Sequence, residues 1–326
     1  MRGTENTMLF ILPPSCSFLG PAPIASSKAH LSSFRASVRA QVSEATRDPD
    51  PTVFGTGATA WQPAALQKVV DTLALLPKED YAADYGFDSF TLEGKPGTIK
   101  SFEGVGAPNV AWCSGLMVDG HRAGITAFCG PLTDVPHLVV SVATDNDGID
   151  LYIDFRARCD AAYDPAFATL EDYPDPTDRD MFAQGSNRKD LKAAFYTDEV
   201  EAWRAELLAL GTPNPLLTAE QTATISAGPC LVDVRLPLAA APAAADACTA
   251  AVDRWLGWMT SAAEMGRELP AGAKQTATYT RDTKVRANHF GFLLGRYTAA
   301  YGDAVGKDLA SADAGPLDEA YVGGGS

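Results

Sequence analysis

The chain has 326 residues, of which 46% are hydrophobic and 21% charged, a composition that excludes a disordered or collagen-like chain and predicts a globular core. Acidic residues outnumber basic ones by 41 to 26, and the formal net charge of −15 disfavours nucleic acid as a partner. No run of 18 apolar residues occurs, so we expect no membrane span. The cysteines form no CxxC pair, which argues against a zinc knuckle or a redox pair.

The first 40 residues are rich in serine and in basic residues and hold a single acid, Glu5. This composition is typical of an organelle transit peptide, and Val38-Arg39-Ala40 resembles a stromal processing site. We therefore expect a chloroplast transit peptide over residues 1–40 and a location in the stroma; a mitochondrial peptide and a secretory signal, suggested by the apolar run Met8–Leu12, are the alternatives. Residues 41–310 are predicted to form one domain, and the small, polar residues 311–326 a flexible C-terminal tail.

Gln62–Leu76 has apolar residues at i, i+3, i+4 and i+7, which predicts an amphipathic helix ended by Pro77. Short strand-like runs follow, separated by turn residues: Ser89–Leu92, Thr98–Phe102, Val110–Val118, Gly124–Phe128, His137–Ala143 and Ile149–Phe155. Asp145–Gly148 predicts a hairpin turn between the last two. Because the short connections between these runs leave little room for crossover helices, the sheet is predicted to be antiparallel.

Asp164–Lys189 is polar and irregular and is predicted to be an insertion or lid. The remaining predicted elements are a helix capped by Asp198 and stopped by Gly211, a strand within Thr222–Leu236, and long helices over Ala244–Glu268 and about Asn288–Leu309. Strands early in the chain and helices later predict an α+β fold. We expect an α/β/α sandwich in which helices flank a central, mainly antiparallel β-sheet.

Common nucleotide, nucleophile and metal motifs are absent from the sequence: there is no GxxxxGK[ST], no GxSxG and no HExxH-type spacing. Strand alternation places Tyr152 and Asp154 on one face, where a buried carboxylate must be paired or protonated. A salt bridge from Asp154 to Arg156 or Arg158 is the alternative to an acid–base role.

Arg281–His289 is the densest basic stretch of this acidic chain and predicts either a docking patch or a solvated start of a helix. Asn288 and His289 lie at the predicted N-terminus of that helix. There the helix dipole would lower the pKa of an imidazole and could hold an anionic group.

Several strings, taken in order, resemble those of red chlorophyll catabolite reductases, plastid enzymes related to the ferredoxin-dependent bilin reductases. Pro136–Ser141 resembles that family's A-P-N-F-V-V-E strand. Leu151–Asp160 resembles its L-x-L-x-D-[LF]-P-x-[RK]-x-D segment and matches it at Asp154, Arg158 and Asp160. The resemblance extends over about residues 62–306.

The resemblance implies an antiparallel sheet between helices, with an open-chain tetrapyrrole bound between the sheet and the C-terminal helices. It also implies reduction of red chlorophyll catabolite to primary fluorescent chlorophyll catabolite. Electrons would come from reduced ferredoxin, with no cofactor held by the protein. Family members suggest a homodimer. An alternative is a non-catalytic bilin or chlorophyll-catabolite carrier, and a third interpretation is a bilin lyase.

The family's strand glutamate falls on Ser141, and its C-terminal aspartate falls near Gly291 or Phe292, so both expected carboxylates are absent. The resemblance therefore gives as catalytic candidates His289, Asp154 and Ser141. It gives as substrate-binding candidates His137, Val139, Tyr152, Arg158, Asn288 and Phe292; His137 is a further candidate proton donor. An acidic ferredoxin would need a local positive patch. The predicted patch is Arg281, Lys284, Arg286 and Arg296, and the second choice is Arg188, Lys189 and Lys192.

Overall fold

The computed structural model describes residues 56–104, 110–159, 175–214, 226–269 and 273–317. The predicted transit peptide lies outside these residues. The strands of the described residues are β1 Leu76–Pro77, β2 Phe90–Leu92, β3 Lys95–Glu103, β4 Val110–Val118, β5 Arg122–Cys129, β6 His137–Thr144, β7 Ile149–Arg156, β8 Thr212–Pro213 and β9 Val232–Leu236. They form one nine-stranded sheet in the order β1-β3-β4-β5-β6-β7-β9-β8, with β2 paired to β3.

The strand pairs are antiparallel, which confirms the predicted sheet. The hairpin between β6 and β7 forms as expected, because Asp145 Oδ1 accepts hydrogen bonds from the backbone N–H groups of Asp147 and Gly148 at 2.8 and 3.0 Å. In this hairpin Val139 lies opposite Asp154 and Ser141 opposite Tyr152. Turn chemistry and register thus fix which side chains of the two strands share a face.

The helices are α1 Gln62–Leu73, α2 Glu79–Asp84, α3 Arg179–Ser186, α4 Lys189–Phe195, α5 Asp198–Leu208, α6 Ala241–Thr260, α7 Ala273–Tyr301 and α8 Asp303–Ala314. α1 ends earlier than predicted, because Ala74 adopts a left-handed conformation and Leu76–Pro77 pairs with β3. α5 is capped by Thr197, whose hydroxyl accepts from Val200 N at 3.4 Å, and not by Asp198. α6 ends at Thr260, well before the predicted Glu268.

The predicted lid over residues 164–189 is partly helical. Residues 164–174 lie outside the described chain, but α3 occupies Arg179–Ser186, and Asp178 caps it by accepting from the N–H groups of Asp180 and Met181. The predicted strand within residues 222–236 begins only at Val232, since residues 226–231 are not in a strand and residues 222–225 lie outside the described chain.

The C-terminal helices differ most from the prediction. α7 begins at Ala273, fifteen residues before Asn288, and it stops where Gly302 takes a φ of 80° that favours glycine. α8 then folds back on α7. Its last turn includes Ser311–Ala314, with Asp313 buried, so residues 311–314 of the predicted tail are helical, while residues 318–326 lie outside the described chain.

The two faces of the sheet differ in chemistry. On the apolar face, alternate residues of β5–β7 and β9 are hydrophobic and pack under α1 and α6; they include Ile125, Val140, Leu151, Ile153, Phe155 and Val234. On the polar face, which α7 and α8 cover, the alternating positions include Ser114, Arg122, Thr126, His137, Ser141, Tyr152, Asp154, Arg156 and Asp233. Buried charge is therefore concentrated on the face beneath the C-terminal helices.

Candidate functional site on the polar face

α7 runs over the polar face and brings three side chains of its underside against the sheet. His289 Nε2 lies 3.4 Å from Thr126 Oγ1, and the Phe292 ring centroid lies 5.1 Å from that of Tyr152. Arg296 places its guanidinium 4.4 Å from the Phe292 centroid. Their spacing along α7 puts one side chain on each successive turn of the helix face that meets the sheet.

Asp154 is fully buried and fully engaged. Its carboxylate accepts hydrogen bonds from Arg156 Nε at 2.8 Å, from the Tyr152 hydroxyl at 3.0 Å and from Gly228 N at 2.8 Å. This is the geometry of the salt-bridge alternative and not of an acid poised to give a proton. A guanidinium and two further donors therefore satisfy the hydrogen-bonding capacity of this buried carboxylate within the fold.

His137 and Arg158, two predicted substrate-binding residues, instead anchor α7 through Asp282. His137 Nδ1 accepts from Cys129 N at 2.9 Å, so the proton resides on Nε2, which donates to Asp282 Oδ1 at 3.0 Å. Arg158 donates to both oxygens of Asp282, at 3.1 and 2.6 Å. Both nitrogens of His137 are used within the fold.

The electrostatics of this anchor favour a neutral imidazole and a charged carboxylate. Burial lowers the pKa of His137 from 6.5 to about 4, against the opposing pull of Asp282. Burial alone would raise the pKa of Asp282, but the charge of Arg158 and the hydrogen bonds from Arg158 and His137 hold it below its usual value. At neutral pH the pair is therefore a neutral imidazole held by a carboxylate that Arg158 neutralises.

His289 lies in the middle of α7 and not at its N-terminus, so a helix dipole does not act on it as the sequence suggested. Its pKa is nevertheless well below the ordinary value, first because the ring is buried and then because the guanidinium groups of Arg156, Arg286 and Arg296 surround it with positive charge. Within the described chain, His289 Nδ1 has no hydrogen-bond partner. His289 is thus a neutral imidazole with one ring nitrogen still unused.

Ser141 lines a small cavity under α7, together with Thr126, Phe292, Arg296 and Asp313. The cavity has a volume of about 20 Å³, which is enough for about one water molecule and far too small for a tetrapyrrole. The half-buried Phe292 and Arg296 side chains form its α7 side. The cleft expected between the sheet and the C-terminal helices is therefore closed in this conformation.

The remaining substrate-binding candidates form a small apolar patch beside His289. Val139 and Tyr152 are buried in a cluster with Leu231, and Phe292 packs against it. Asn288 is not part of this apolar cluster, and its amide donates to Ser226 Oγ at 2.8 Å. The structure therefore brings together His289, Ser141, Val139, Tyr152 and Phe292, whereas the other candidates are used to hold the fold.

The four residues of the first predicted docking patch do not form one exposed surface. Arg286 is 2% exposed, with its guanidinium over the Phe128 ring, and Arg281 donates to the carbonyl of Ala157. Arg296 turns toward Asp233, and only Lys284 is exposed. Three of the four basic side chains thus serve the interface of α7 with the sheet.

The second predicted patch lies at a separate open hollow of about 870 Å³ between α3, α4 and the start of α5. Lys189 is exposed there, but Lys192 pairs with Asp180, and nearby Arg179 pairs with Asp198. Arg188 is bound by Asp134 and Asp190. Because its charges are largely compensated, we place the candidate site on the polar face and not in this larger hollow.

Two buried acids of the polar face escaped the sequence analysis. Asp233 interrupts the apolar run of β9, and this break in the pattern could have marked it as a buried acid in the sequence. Burial raises the pKa of Asp233, although the charge of Arg296 and the hydrogen bond from Asn214 oppose this. Asp313 lay in the expected tail and gave no signal. Burial raises its pKa as well, against hydrogen bonds from Tyr297 at 2.6 Å and Ser114 at 3.0 Å.

Neither protein-family models nor curated proteins match this chain. Among solved structures, the chain is similar to phytochromobilin synthase from tomato, solved in complex with biliverdin. The identity is 16%, the TM-score is 0.50, and the match covers 76% of this chain and 79% of that one. The two proteins share a fold. The shared architecture is the expected antiparallel sheet between helices.

Among the described residues, no helix has the length and apolar character that a bilayer crossing requires. In the same part of the chain, no group of three or more His, Cys, Asp or Glu side chains is arranged to hold a metal ion. The ionisable groups of the polar face are instead paired with one another or surrounded by arginine.

Proposed function

We propose that this protein binds an open-chain tetrapyrrole between the polar face and α7 and reduces one of its double bonds with electrons from reduced ferredoxin. The observation that carries the proposal is the fold shared with phytochromobilin synthase, a ferredoxin-dependent bilin reductase whose solved structure holds biliverdin. The order of the strings in the sequence points independently to the same wider group.

The narrower proposal is that red chlorophyll catabolite is the substrate and primary fluorescent chlorophyll catabolite the product. It is supported by the strings at Pro136–Ser141 and Leu151–Asp160. A chloroplast stromal location, directed by residues 1–40, would place the protein beside ferredoxin, and a homodimer is the expected assembly. No cofactor need be held, because the conjugated pigment itself can accept electrons one at a time.

The reaction requires an apolar binding surface, exclusion of water and a proton donor, and residues of the polar face could provide all three. Val139, Tyr152 and Phe292 offer an apolar surface for pyrrole rings, and burial beneath α7 excludes water. Negative charge arriving on the pigment would raise the pKa of His289 from its lowered value, so that His289 could take up a proton and pass it on. Ser141 can only bind, since a hydroxyl is a poor acid.

Pigment binding requires the cleft to open. Phe292 and Arg296 are half-buried side chains of α7 that line the 20 Å³ cavity, and a ligand entering beneath α7 must displace their ring-to-guanidinium contact of 4.4 Å. Arg296 also lies 5.2 Å from the Tyr152 centroid. A planar guanidinium lying against both rings occupies space that a flat pyrrole ring could take over.

A second candidate function is that of a non-catalytic carrier of bilins or chlorophyll catabolites. The engagement of Asp154 and His137 within the fold favours it, because these two predicted proton donors are already bound to neighbours. The carrier and the reductase would both bind an open-chain tetrapyrrole, and only the reductase would then reduce it.

The deciding experiment mixes the full chain with red chlorophyll catabolite or biliverdin, with and without reduced ferredoxin. We expect the pigment absorption to change on binding and, for red chlorophyll catabolite, a blue-fluorescent product to form only with reduced ferredoxin. Binding without turnover of either pigment would favour the carrier. No spectral change with either pigment would refute both candidates.

A pair of matched variants locates the site. Arg296 stacks on Phe292 over the polar face, and Arg254 lies 5.6 Å from the Trp203 centroid on the opposite side of the sheet. We expect Arg296→Met to change pigment affinity and Arg254→Met to leave it unchanged, as measured by absorption titration. Equal effects of the two variants would place the pigment elsewhere.

A further inference from the structure

Among the buried acids of the described chain, Asp313 differs in its partners, which are hydroxyl groups and not an arginine. Tyr297 donates to Asp313 Oδ2 at 2.6 Å, and Ser114 donates to Oδ1 at 3.0 Å. Each of the other buried acids forms an ion pair with an arginine: Asp134, Asp154, Asp233 and Asp282. A hydroxyl can donate to a carboxylate or accept from a carboxylic acid, whereas a guanidinium can only donate. The partners of Asp313 therefore suit both its charged and its neutral form.

A pair of opposed strand residues connects Asp313 to His289. Ser114 of β4, which binds Asp313, lies directly opposite Thr126 of β5. Thr126 Oγ1 lies 3.4 Å from His289 Nε2. Directly opposed residues of an antiparallel pair share a face, with their Cβ atoms about 5 Å apart. The acid and the imidazole are thus bound by neighbouring positions of the polar face.

Asp313 and Thr126 also line the same cavity beneath α7, together with Ser141 and Tyr297. Its volume of about 20 Å³ accommodates about one water molecule, and the residues that line it carry the hydroxyl and carboxyl groups that an enclosed water requires. Arg122 lines the cavity as well, and its Nε has no hydrogen-bond partner in the described chain. The cavity is therefore suited to a single water that bridges side chains from the sheet and from α8.

Groups from β4, β5, α2 and α7 surround Asp313. Ser114 of β4 and Tyr297 of α7 bind its oxygens, and Arg122 of β5 adds a positive charge. From α2, the Tyr81 hydroxyl donates to a main-chain carbonyl of α8 at 3.2 Å. Burial raises the pKa of Asp313 against the effect of its hydrogen bonds and of Arg122, so this acid keeps its proton more readily than an exposed aspartic acid does.

The imidazole of His289 is shifted in the opposite direction. The groups of the sheet and of α7 around it are Thr126, Phe128, His137, Arg156, Arg286 and Arg296. Burial and the guanidinium groups lower its pKa. In the unliganded protein the acid is therefore the more readily protonated of the two groups and the imidazole the more readily neutral, each compared with the same group in water.

We propose that Asp313 is an internal proton donor, which supplies His289 through one enclosed water and the Thr126 hydroxyl. In each passage Asp313 loses one proton, the water and the hydroxyl each accept one and release another, and His289 Nε2 gains one. The carboxylic acid becomes a carboxylate and the imidazole an imidazolium, so charge is conserved. This inference rests on the proposed function and adds the source of the proton that the buried imidazole passes to the pigment.

Reduction of the pigment drives this transfer. Electrons from reduced ferredoxin place negative charge on the pigment, and this charge raises the pKa of His289, which then draws the proton from Asp313. After His289 has protonated the pigment, Asp313 regains a proton from solvent, to which it is 6% exposed. A proton source inside the fold lets the site stay closed to bulk water while the pigment is reduced.

The first test is infrared spectroscopy of the unliganded full chain, which detects protonation directly. At about pH 6, exposed carboxylic acids are ionised. We expect the wild-type spectrum at this pH to contain the C=O stretch of a carboxylic acid that is missing from Asp313→Asn. The control Asp303→Asn, which changes an exposed acid at the start of α8, should retain it. Absence of this difference overturns the internal donor and leaves the proposed function standing.

The second test is turnover of red chlorophyll catabolite with saturating reduced ferredoxin. Asp313→Asn should lower kcat by about tenfold or more and leave pigment affinity within about twofold. It should also abolish the fall in kcat that titration of the acid produces as pH rises in the wild type. Asp303→Asn should behave as the wild type. An unchanged pH profile in Asp313→Asn would mean that the carboxyl group only holds α8 in place, which overturns the proposal.

Two variants of Thr126 test the route without altering Asp313, and they serve also if Asp313→Asn folds poorly. Thr126→Val nearly keeps the shape but removes the hydroxyl, whereas Thr126→Ser retains the hydroxyl. We expect the serine variant to turn over about tenfold or more faster than the valine variant. Equal turnover of the two overturns the route. A wild type that reduces neither red chlorophyll catabolite nor biliverdin overturns the proposed function together with this inference.

Discussion

The two faces of the sheet are buried to a similar degree but by opposite means. The apolar face packs hydrophobic strand residues under α1 and α6. The largest fully buried side chain there is Trp255 of α6, whose Nε1 donates to Pro136 O at 2.9 Å. The polar face is covered through buried ion pairs such as Asp154–Arg156 and Asp282–Arg158. Hydrophobic burial stabilises outright, whereas a buried ion pair roughly offsets its own desolvation and mainly fixes geometry.

This difference between the faces indicates which of them is suited to a binding or catalytic site. A face held by directional pairs can position charges and unused donors, at the cost of being sensitive to the loss of any single partner. A face held by hydrophobic contacts tolerates small changes of shape. Paired substitutions on the two faces therefore provide direct tests of the comparison.

The largest expected loss in the free energy of unfolding follows from Asp282→Asn. This change keeps the side-chain shape but leaves the buried Arg158 charge without its counter-charge, so we expect a loss of about 3–5 kcal/mol in the free energy of unfolding. Ile153→Val on the apolar face removes a methyl group and should cost about 0.5–1.5 kcal/mol. Urea unfolding at pH 7 measures both, and similar losses would refute the asymmetry of the faces.

A smaller effect tests how α8 is held over the polar face. A Cβ on Gly306 would lie 2.4 Å from the backbone nitrogen of Thr298, so Gly306→Ala should destabilise by about 1–3 kcal/mol as α7 and α8 are pushed apart. Gly295 is helical and exposed, with nothing near an added Cβ. Gly295→Ala should stabilise by up to about 1 kcal/mol. Thermal melts of the two variants should shift in opposite directions; shifts of the same sign would contradict this packing.

The smallest expected effect is on how the stability of the protein depends on pH. The folded pKa values of His137, about 4, and of His289 lie below the 6.5 of an unfolded histidine, so the unfolded chain binds more protons as pH falls from 6.5 toward 4. Their contribution to stability is complete above pH 6.5 and is lost across that window.

The His289→Phe variant should therefore lose less stability than the wild type between pH 7 and pH 5, by at most about 1.4 kcal/mol per pH unit. Ile153→Val, on the apolar face, should lose as much as the wild type. Urea midpoints at the two pH values give the comparison. An equal loss in His289→Phe would mean that its imidazole titrates normally in the folded chain.

Local pattern was enough to predict much of the sheet. β4 has the predicted bounds, and β6 and β7 each extend one residue further than predicted, because apolar alternation and the Asp145–Gly148 turn act over a few residues. The sequence also placed Tyr152 and Asp154 on one face correctly. The start of α7 escaped prediction, since residues before Asn288 are polar and carry no amphipathic stripe.

The candidate site was predictable only in part. Val139, Tyr152, Phe292, Ser141 and His289 do meet on the polar face. The engagement of His137 and Arg158 by Asp282 was not foreseen, because it joins residues more than a hundred positions apart. The role of Arg286 was missed for a related reason: a basic residue in a polar stretch looks exposed until a second layer covers it.

What the amino-acid sequence determined by itself is the antiparallel sheet and the alternation that sorts its residues onto two faces. Both follow from interactions between near neighbours: strand period, turn residues and hairpin register. Tertiary structure alone decided which charged groups pair, that α7 closes over the polar face, and that the buried His289 Nδ1 has no hydrogen-bond partner in the described chain. Those outcomes depend on the desolvation of groups distant in the chain, which only the packed protein establishes.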